Sequence, residues 1–141
     1  MMQDFHLHAH KYIGVKFHHR GRTVNRMDCV GLVIRCAKDC GYDKYEEFAY
    51  GGQPRNNILQ GVLEEHFGTA KDRPPKINDV LLLRLRPEAE PTHVAIVTHY
   101  PHETELGIIH THSMLRRVTY QRLTDKFRSA IAGVYQWPDM H

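Results

Sequence analysis

The chain changes character near Pro75, where helical periodicity gives way to short runs of β-forming residues, and this change most constrains its fold. Five such runs follow, at residues 79–83, 93–97, 106–112, 117–121 and 130–137. Short β-rich runs bounded by prolines and polar residues are typical of antiparallel strands. Helices first and strands afterwards therefore predict an α+β domain, with N-terminal helices packed on a mainly antiparallel sheet of about five strands.

The most regular helical pattern before this change covers residues 29–40. Small and apolar side chains recur on one face of it, and Gly41 provides a stop signal. The residues on that face are Cys29, Leu32, Val33, Cys36, Ala37 and Cys40. Shorter helices are predicted at residues 4–13 and 54–67, with a surface loop at residues 14–27.

Histidine is the residue type in excess, with 12 in 141 residues. Three of them, His6, His8 and His10, lie in the first predicted helix. Their spacing puts the middle residue on a different side, so we expect a solvated helix there rather than a metal-binding tract. The apolar side of this helix is predicted to carry Phe5, His8, Tyr12 and Ile13.

The composition predicts one globular domain over residues 1–141, since 41% of the residues are apolar and 25% are charged. No apolar run is long enough to span a bilayer, which argues against a membrane role. The first residues lack a secretion signal, so we expect synthesis in the cytoplasm. The net charge is only +3 and its charges are spread along the chain, which argues against nucleic-acid binding.

Cys29, Cys36 and Cys40 fall in one short segment, which favours reduced thiols over a disulfide framework. Cys36 and Cys40 are predicted to be core residues. Cys29 differs, because it follows Asp28, a good N-cap, and so begins the helix. The unpaired N–H groups and the positive dipole end at a helix start favour thiolate over thiol, which makes Cys29 a candidate nucleophile.

A thiol nucleophile needs an imidazole within hydrogen-bond reach and a polar group that orients the imidazole. His93 begins one predicted strand, and His110 and His112 share a face of the next, because side chains alternate along a strand. Neighbouring strands would set His93 and His110 side by side. The same three imidazoles also suit a catalytic zinc site, which is an alternative hypothesis.

Together these segments resemble the NlpC family of papain-like cysteine peptidases, particularly its phage-tail branch. The matching pieces are Gly-Val-Lys-Phe at 14–17, Asp-Cys-Val-Gly-Leu at 28–32, Asn-Asp-Val-Leu-Leu at 78–82, His-Val-Ala-Ile at 93–96 and Ile-Ile-His at 108–110. The resemblance covers most of the chain. It implies a papain-like fold and hydrolysis of peptide bonds in the stem peptides of bacterial peptidoglycan, without a cofactor or metal.

Carried over by position, the resemblance implies that Cys29 is the nucleophile, His93 the general base and His110 the group that orients it. His112 is the alternative for the third role. Phe17 stands where many relatives have a tyrosine near the reacting carbonyl, and a valine follows Cys29 where serine is common. The Cys29 backbone N–H could still donate a hydrogen bond to the tetrahedral oxygen.

Arg20 and Arg22 precede the predicted nucleophile and suit binding of stem-peptide carboxylates, the alternative being a solvated loop. With Asp28, Phe17 and His112, they form the predicted substrate-binding set. The resemblance also implies phage tail proteins as partners, and a virion component that acts in the cell wall or periplasm. The other alternative is a structural tail component that keeps the fold and binds cell wall or partner proteins without turnover.

Overall fold

The computed structural model describes residues 5–17, 22–23, 26–27, 29–41, 58–85, 93–101, 105–112 and 116–137. Its helices are α1 (Phe5–His10), α2 (Cys29–Asp39), α3 (Ile58–Phe67) and α4 (Asp125–Ser129). Its strands are β1 (Lys16–Phe17), β2 (Arg22–Thr23), β3 (Arg26–Met27), β4 (Val80–Leu83), β5 (His93–His99), β6 (Leu106–His112), β7 (Arg117–Arg122) and β8 (Ile131–Tyr135).

All the described strands join one sheet, in the order β2-β3-β1-β7-β6-β5-β4-β8. The five longer strands, β4 to β8, pair antiparallel with one another. This confirms the predicted α+β fold with five antiparallel strands, each of which is present, and β1 to β3 extend the same sheet. The helix predicted at residues 29–40 is also present, as α2.

The central strands are buried on both faces of the sheet. Every residue of β4 is buried, which explains why this strand reads as an unbroken apolar run rather than an alternating one. The helices α1, α2 and α3 contribute to a helix-side core on one face, which includes Leu32, Val33, Cys36, Leu63, Leu82, Val94, Ile96 and Ile109. The opposite face carries an α4-side core of Leu81, Leu83, Ala95, Val97, Ile108, Leu123 and Val134.

Trp137 ties the end of the sheet to two helices. Its ring stacks on Phe5 of α1, with ring centroids 3.5 Å apart and an angle of 9° between the planes. Phe67 of α3 meets the same indole edge-on at 5.1 Å. Apolar contacts between residues far apart in sequence therefore close the helix-side core.

Two predictions for the N-terminal half are corrected. The segment predicted as a loop at 14–27 contains β1, β2 and β3, whose few residues show no apolar alternation that would reveal them. Ile13 is 42% exposed instead of facing the core, because α1 ends at His10, and Ala9 is buried in its place.

The remaining helices differ in detail from their predicted bounds. The described part of the helix predicted at 54–67 begins at Ile58, and residues 54–57 lie outside the described residues. Gly68 ends it with a φ of 85°, a left-handed conformation that suits glycine. The short helix α4 was not predicted; Thr124 caps it. Within the described ranges, no helix is both long and apolar enough to cross a membrane.

Candidate active site

The neighbouring strands β5 and β6 bring His93 and His110 together. They pair antiparallel, with Ile96 opposite Ile109. Nε2 of His93 lies 2.7 Å from Nδ1 of His110, and the ring centroids are 4.9 Å apart with planes at 80°. The two imidazoles are therefore joined by a direct hydrogen bond, in agreement with the side-by-side arrangement expected from the strand pattern.

Both ring nitrogens of His110 have a hydrogen-bond partner, and its side chain is only 1% exposed. On the side away from His93, Nε2 of His110 lies 2.7 Å from Oε1 of Gln121 in β7. Phe127 of α4 packs edge-on against the same ring, with centroids 5.7 Å apart. A buried imidazole held at both nitrogens and against an aromatic ring is confined to one orientation.

Gln121 was not among the predicted site residues. It lies in the predicted strand at 117–121, where alternation alone could place it on either face of the sheet. The observed register sets Ile108 opposite Gln121 and His110 opposite Thr119, so Gln121 shares a face with His110. That register joins residues distant in sequence, and no local pattern reports it.

Cys29 is the first residue of α2, as predicted, and α2 packs against both β5 and β6. The strands that carry the histidine pair are therefore in contact with the helix that carries the candidate nucleophile. The side chain of Cys29 and the whole of Asp28 lie outside what the structure describes.

Cys36 belongs to the core, as predicted, whereas Cys40 packs against the core without belonging to it. Cys36 is fully buried, and this burial raises the pKa of its thiol well above the ordinary value. Cys40 is half-buried and packs against the helix-side core. Neither forms a disulfide. A buried thiol with a raised pKa is a poor nucleophile, which distinguishes Cys36 from a cysteine at a helix start.

The histidine pair and α2 lie on different faces of the sheet. His93 pairs with Leu83 in the regular register of β4 and β5, and Leu83 belongs to the α4-side core. The packing residues of α2 belong to the helix-side core. A group at the start of α2 can therefore meet His93 only around the end of the sheet, where β5 begins.

The structure places part of the predicted substrate-binding set. Phe17 ends β1, which pairs with β7, and Arg22 begins β2, the outermost strand of this side of the sheet. The helix α2 packs against β2 and β3. His112 ends β6, opposite Arg117. Only the backbone is described at these three positions; the side chains of Phe17, Arg22 and His112, and the whole of Arg20, lie outside the described part.

The geometry of the pair does not suit the zinc hypothesis. Two nitrogen ligands of one tetrahedral zinc, each at about 2.0–2.1 Å from it, would lie roughly 3.3 Å apart. Nε2 of His93 and Nδ1 of His110 are closer than that, at 2.7 Å, and face each other. Among the described residues, no group of three His, Cys, Asp or Glu side chains could hold a metal ion.

The first two residues of the Asn-Asp-Val-Leu-Leu segment at 78–82 have a structural role. Asn78 has a φ of 81°, a left-handed conformation that asparagine tolerates, and its Oδ1 accepts a hydrogen bond from the backbone N–H of His6. Asp79 is buried and accepts hydrogen bonds from the Arg73 guanidinium at 2.7 and 3.0 Å and from the Lys76 N–H. These contacts fix the loop that precedes β4.

The expectation of a solvated first helix is wrong for His6 and His10. A spacing of four residues puts both on the side of α1 that faces the sheet. Nδ1 of His6 lies 2.6 Å from Asn78 Oδ1, and Nε2 of His10 lies 2.9 Å from Thr98 Oγ1. His10 also stacks on His99 at 5.1 Å. Burial, followed by the charges of His99 and His6, lowers the pKa of His10.

The described helices and the five antiparallel strands β4 to β8 define a papain-like fold of the NlpC type. Among solved structures, NlpC2 from Trichomonas vaginalis is similar to this chain, with a TM-score of 0.62 and 17% sequence identity. The match covers 96% of this chain and 46% of the neighbour's chain. At this identity the likeness shows the fold alone. No protein-family model matches the chain, and no curated protein matches it.

Proposed function

We propose that this chain is a cysteine peptidase that hydrolyses peptide bonds in the stem peptides of bacterial peptidoglycan. The observation that carries the proposal is the hydrogen-bonded pair of His93 and His110, on the two strands against which the Cys29 helix packs. Thiol catalysis requires a general base, a partner that orients it and a cysteine within reach of the base, and the strands of the histidine pair contact the helix that Cys29 begins.

In the proposed reaction, His93 accepts the proton of the Cys29 thiol, and the thiolate attacks the peptide carbonyl. The resulting tetrahedral oxyanion collapses, the C–N bond breaks, and the His93 imidazolium gives its proton to the departing amine. Water, deprotonated by His93, then hydrolyses the thioester and releases the carboxylic acid and the thiol. His110 keeps the His93 ring aligned through both proton transfers.

The substrate class and the biological setting rest on the sequence motifs and on the shared fold. Arg22 begins the edge strand β2 beside α2, which suits a role in binding the free carboxylates of a stem peptide. The phage-tail setting, with tail proteins as partners, is part of the proposal and follows from the motif resemblance. A pull-down of tail proteins with the purified chain tests that setting separately from the chemistry.

The test is digestion of muropeptides and of defined stem peptides by the purified chain, with product masses determined by mass spectrometry. Cys29→Ala and Cys29→Ser should abolish cleavage, while Cys40→Ala serves as the matched control at a half-buried cysteine of the same helix region. Alkylation of the wild type should stop the reaction and chelation should leave its rate unchanged.

Each alternative gives a different result in the same experiment. Activity that survives alkylation of Cys29 but is lost on chelation would overturn the thiol mechanism in favour of a metal-dependent one. Binding of muropeptides without products, unchanged in Cys29→Ala, would identify a cell-wall-binding component instead. Product masses that show a cleaved glycosidic bond would exclude peptidase activity.

A further inference from the structure

Gln121 contacts the histidine pair, but the mechanism above gives it no role. Its Oε1 lies 2.7 Å from Nε2 of His110, at the end of a hydrogen-bonded chain that runs through Nδ1 of His110 to Nε2 of His93. We propose that Gln121 is a positioning residue that selects the tautomers of both histidines and leaves Nδ1 of His93 as the proton acceptor. The chemical meaning of this inference rests on the proposed function.

The direction of the hydrogen bonds follows from the donor capacity of each atom. An amide oxygen only accepts, so Nε2 of His110 carries a proton and donates it to Gln121. A neutral imidazole has one N–H, so Nδ1 of His110 is bare and accepts from Nε2 of His93. The one proton of neutral His93 is then on Nε2, and its Nδ1 carries the lone pair.

The same assignment accounts for every proton in the first catalytic step. The Cys29 thiol gives its proton to Nδ1 of His93, which produces a thiolate and an imidazolium. The imidazolium keeps its Nε2–H bonded to Nδ1 of His110, and His110 remains neutral throughout. Rotation of the Gln121 amide by half a turn would reverse every donor, place a proton on Nδ1 of His93 and block this step.

A neutral amide suits this position better than a carboxylate. His110 is almost completely buried, and a carboxylate at residue 121 would favour the protonated, positively charged form of His110. Charged His110 must donate from both nitrogens, so Nε2 of His93 would become an acceptor and Nδ1 would hold the proton. A second positive charge beside His93 would also oppose the imidazolium that catalysis requires.

The first experiment reads the tautomers directly, by long-range proton–nitrogen correlation NMR on the uniformly ¹⁵N-labelled chain without substrate. At a pH where both imidazoles are neutral, we expect the Nε2–H tautomer for His93 and for His110. A Nδ1–H tautomer at either histidine overturns the inference. In Gln121→Met, whose thioether sulfur is only a weak acceptor, His110 should become a mixture of tautomers.

The second experiment measures kcat and KM across pH for two variants. Gln121→Met should lower kcat by roughly 10- to 100-fold with little change in KM, which is less than the roughly 10⁴-fold loss from a fully inverted tautomer in a serine-peptidase triad. Gln121→Glu should move the acid limb of the kcat/KM profile to higher pH, with activity recovered in base. Thr119→Val, opposite His110 on the same strand as Gln121, is the control and should behave as wild type.

The outcomes separate this inference from the proposed function. A wild-type chain that shows both Nε2–H tautomers but cleaves no peptide supports the role of Gln121 in the tautomers and contradicts the proposed peptidase activity. An active wild type with a proton on Nδ1 of His93 contradicts the role of Gln121 alone. An unshifted pH profile in Gln121→Glu would also contradict it, because a purely structural side chain would leave that profile in place.

Discussion

At the scale of single residues, the structure separates buried polar groups that fix the backbone from those that can do chemistry. Asp79 is 1% exposed, and its carboxylate accepts hydrogen bonds from Arg73 and from the Lys76 N–H. Hydrogen bonding to Asp79 is the main cause of a raised pKa of Arg73, which also contacts Oε1 of Gln136. This ion pair holds the loop before β4 rather than serving the site.

Arg73→Ala should therefore destabilise the fold, since it leaves a buried carboxylate without its partner. Removing one member of a buried pair costs roughly 3 kcal/mol or more, against less than about 1 kcal/mol for an exposed charge. Urea unfolding followed by circular dichroism measures the difference, with the exposed Arg128→Ala as control. Equal stability of the two variants would show that the Arg73–Asp79 pair contributes nothing net.

Single residues also distinguish His110 from His112 as candidates for the residue that orients His93. His110 is buried and bonded to His93, whereas His112 stands at the end of β6. We expect His110→Ala to lose on the order of 10- to 1000-fold in kcat/KM, because orientation and imidazolium stabilisation together contribute a few kcal/mol. His112→Ala should lose less on the same muropeptide. A larger loss in His112→Ala, with both variants folded, would transfer the orienting role.

At the scale of elements, α1 docks on the sheet through histidines rather than through apolar contacts alone. His6 and His10 bond to Asn78 and Thr98, and His10 stacks on His99. Tyr120 completes the contact, with its ring edge-on to His10 and its hydroxyl bonded to the His99 carbonyl oxygen. Protonation of His10 should therefore oppose this docking, because burial and the neighbouring histidines lower its pKa.

The stability of the fold should fall as the pH is lowered through the range in which histidine titrates. The pKa of His10 is lowered in the folded chain, so the unfolded chain takes up the proton first, from about pH 6.5 downward. The contribution of His10 is therefore complete above that pH and is lost below it. His10→Gln, which can still bond to Thr98, should reduce the decrease in unfolding free energy between pH 7.5 and 5.5, each measured by urea titration.

His8→Gln is the matched control for this measurement, because His8 is on the same helix but outside the contacts with Thr98 and His99. Its pH dependence should follow the wild type. A His10→Gln variant with an unchanged pH dependence would show that other groups cause the acid lability.

At the scale of the whole molecule, the sheet separates two cores of different origin. The helix-side core gathers residues from α1, α2 and α3, whereas the α4-side core consists mostly of strand residues, with the partly buried Phe127 of α4 packed against it. The histidine pair lies at the α4 side and the start of α2 belongs to the other side. The proposed site therefore depends on the packing of both cores, because the two halves of its machinery come from opposite faces.

Leu81 and Leu82 provide a matched test of this two-sided arrangement. They are adjacent in β4, both are fully buried, and they belong to the α4-side and the helix-side core respectively. Leu81→Ala and Leu82→Ala should each lower the free energy of unfolding by about 2–5 kcal/mol, as large-to-small changes in a core do. A loss below about 1 kcal/mol for Leu81→Ala would mean that the α4 side is open to water.

The amino-acid sequence by itself determined the elements whose residues carry their own periodic signal. The apolar face of α2 repeats at the helical period, and β4 to β8 are rich in β-branched and apolar residues between turn signals, so both were predicted at nearly their observed bounds. The position of Cys29 at a helix start, and of His93 and His110 within strands, followed from the same local patterns. These features depend on neighbours a few residues away.

Only the tertiary structure decided which of these elements meet, and in what register. The 2.7 Å contact of His93 with His110 was an expectation until β5 and β6 were seen to pair, and the contact of Gln121 with His110 was not expected at all. The strands β1 to β3 and the docking of His10 on Thr98 escaped prediction for the same reason. Contacts between residues distant in sequence determine which strands pair and which side chains share a face of the sheet. Local propensity carries no information about either.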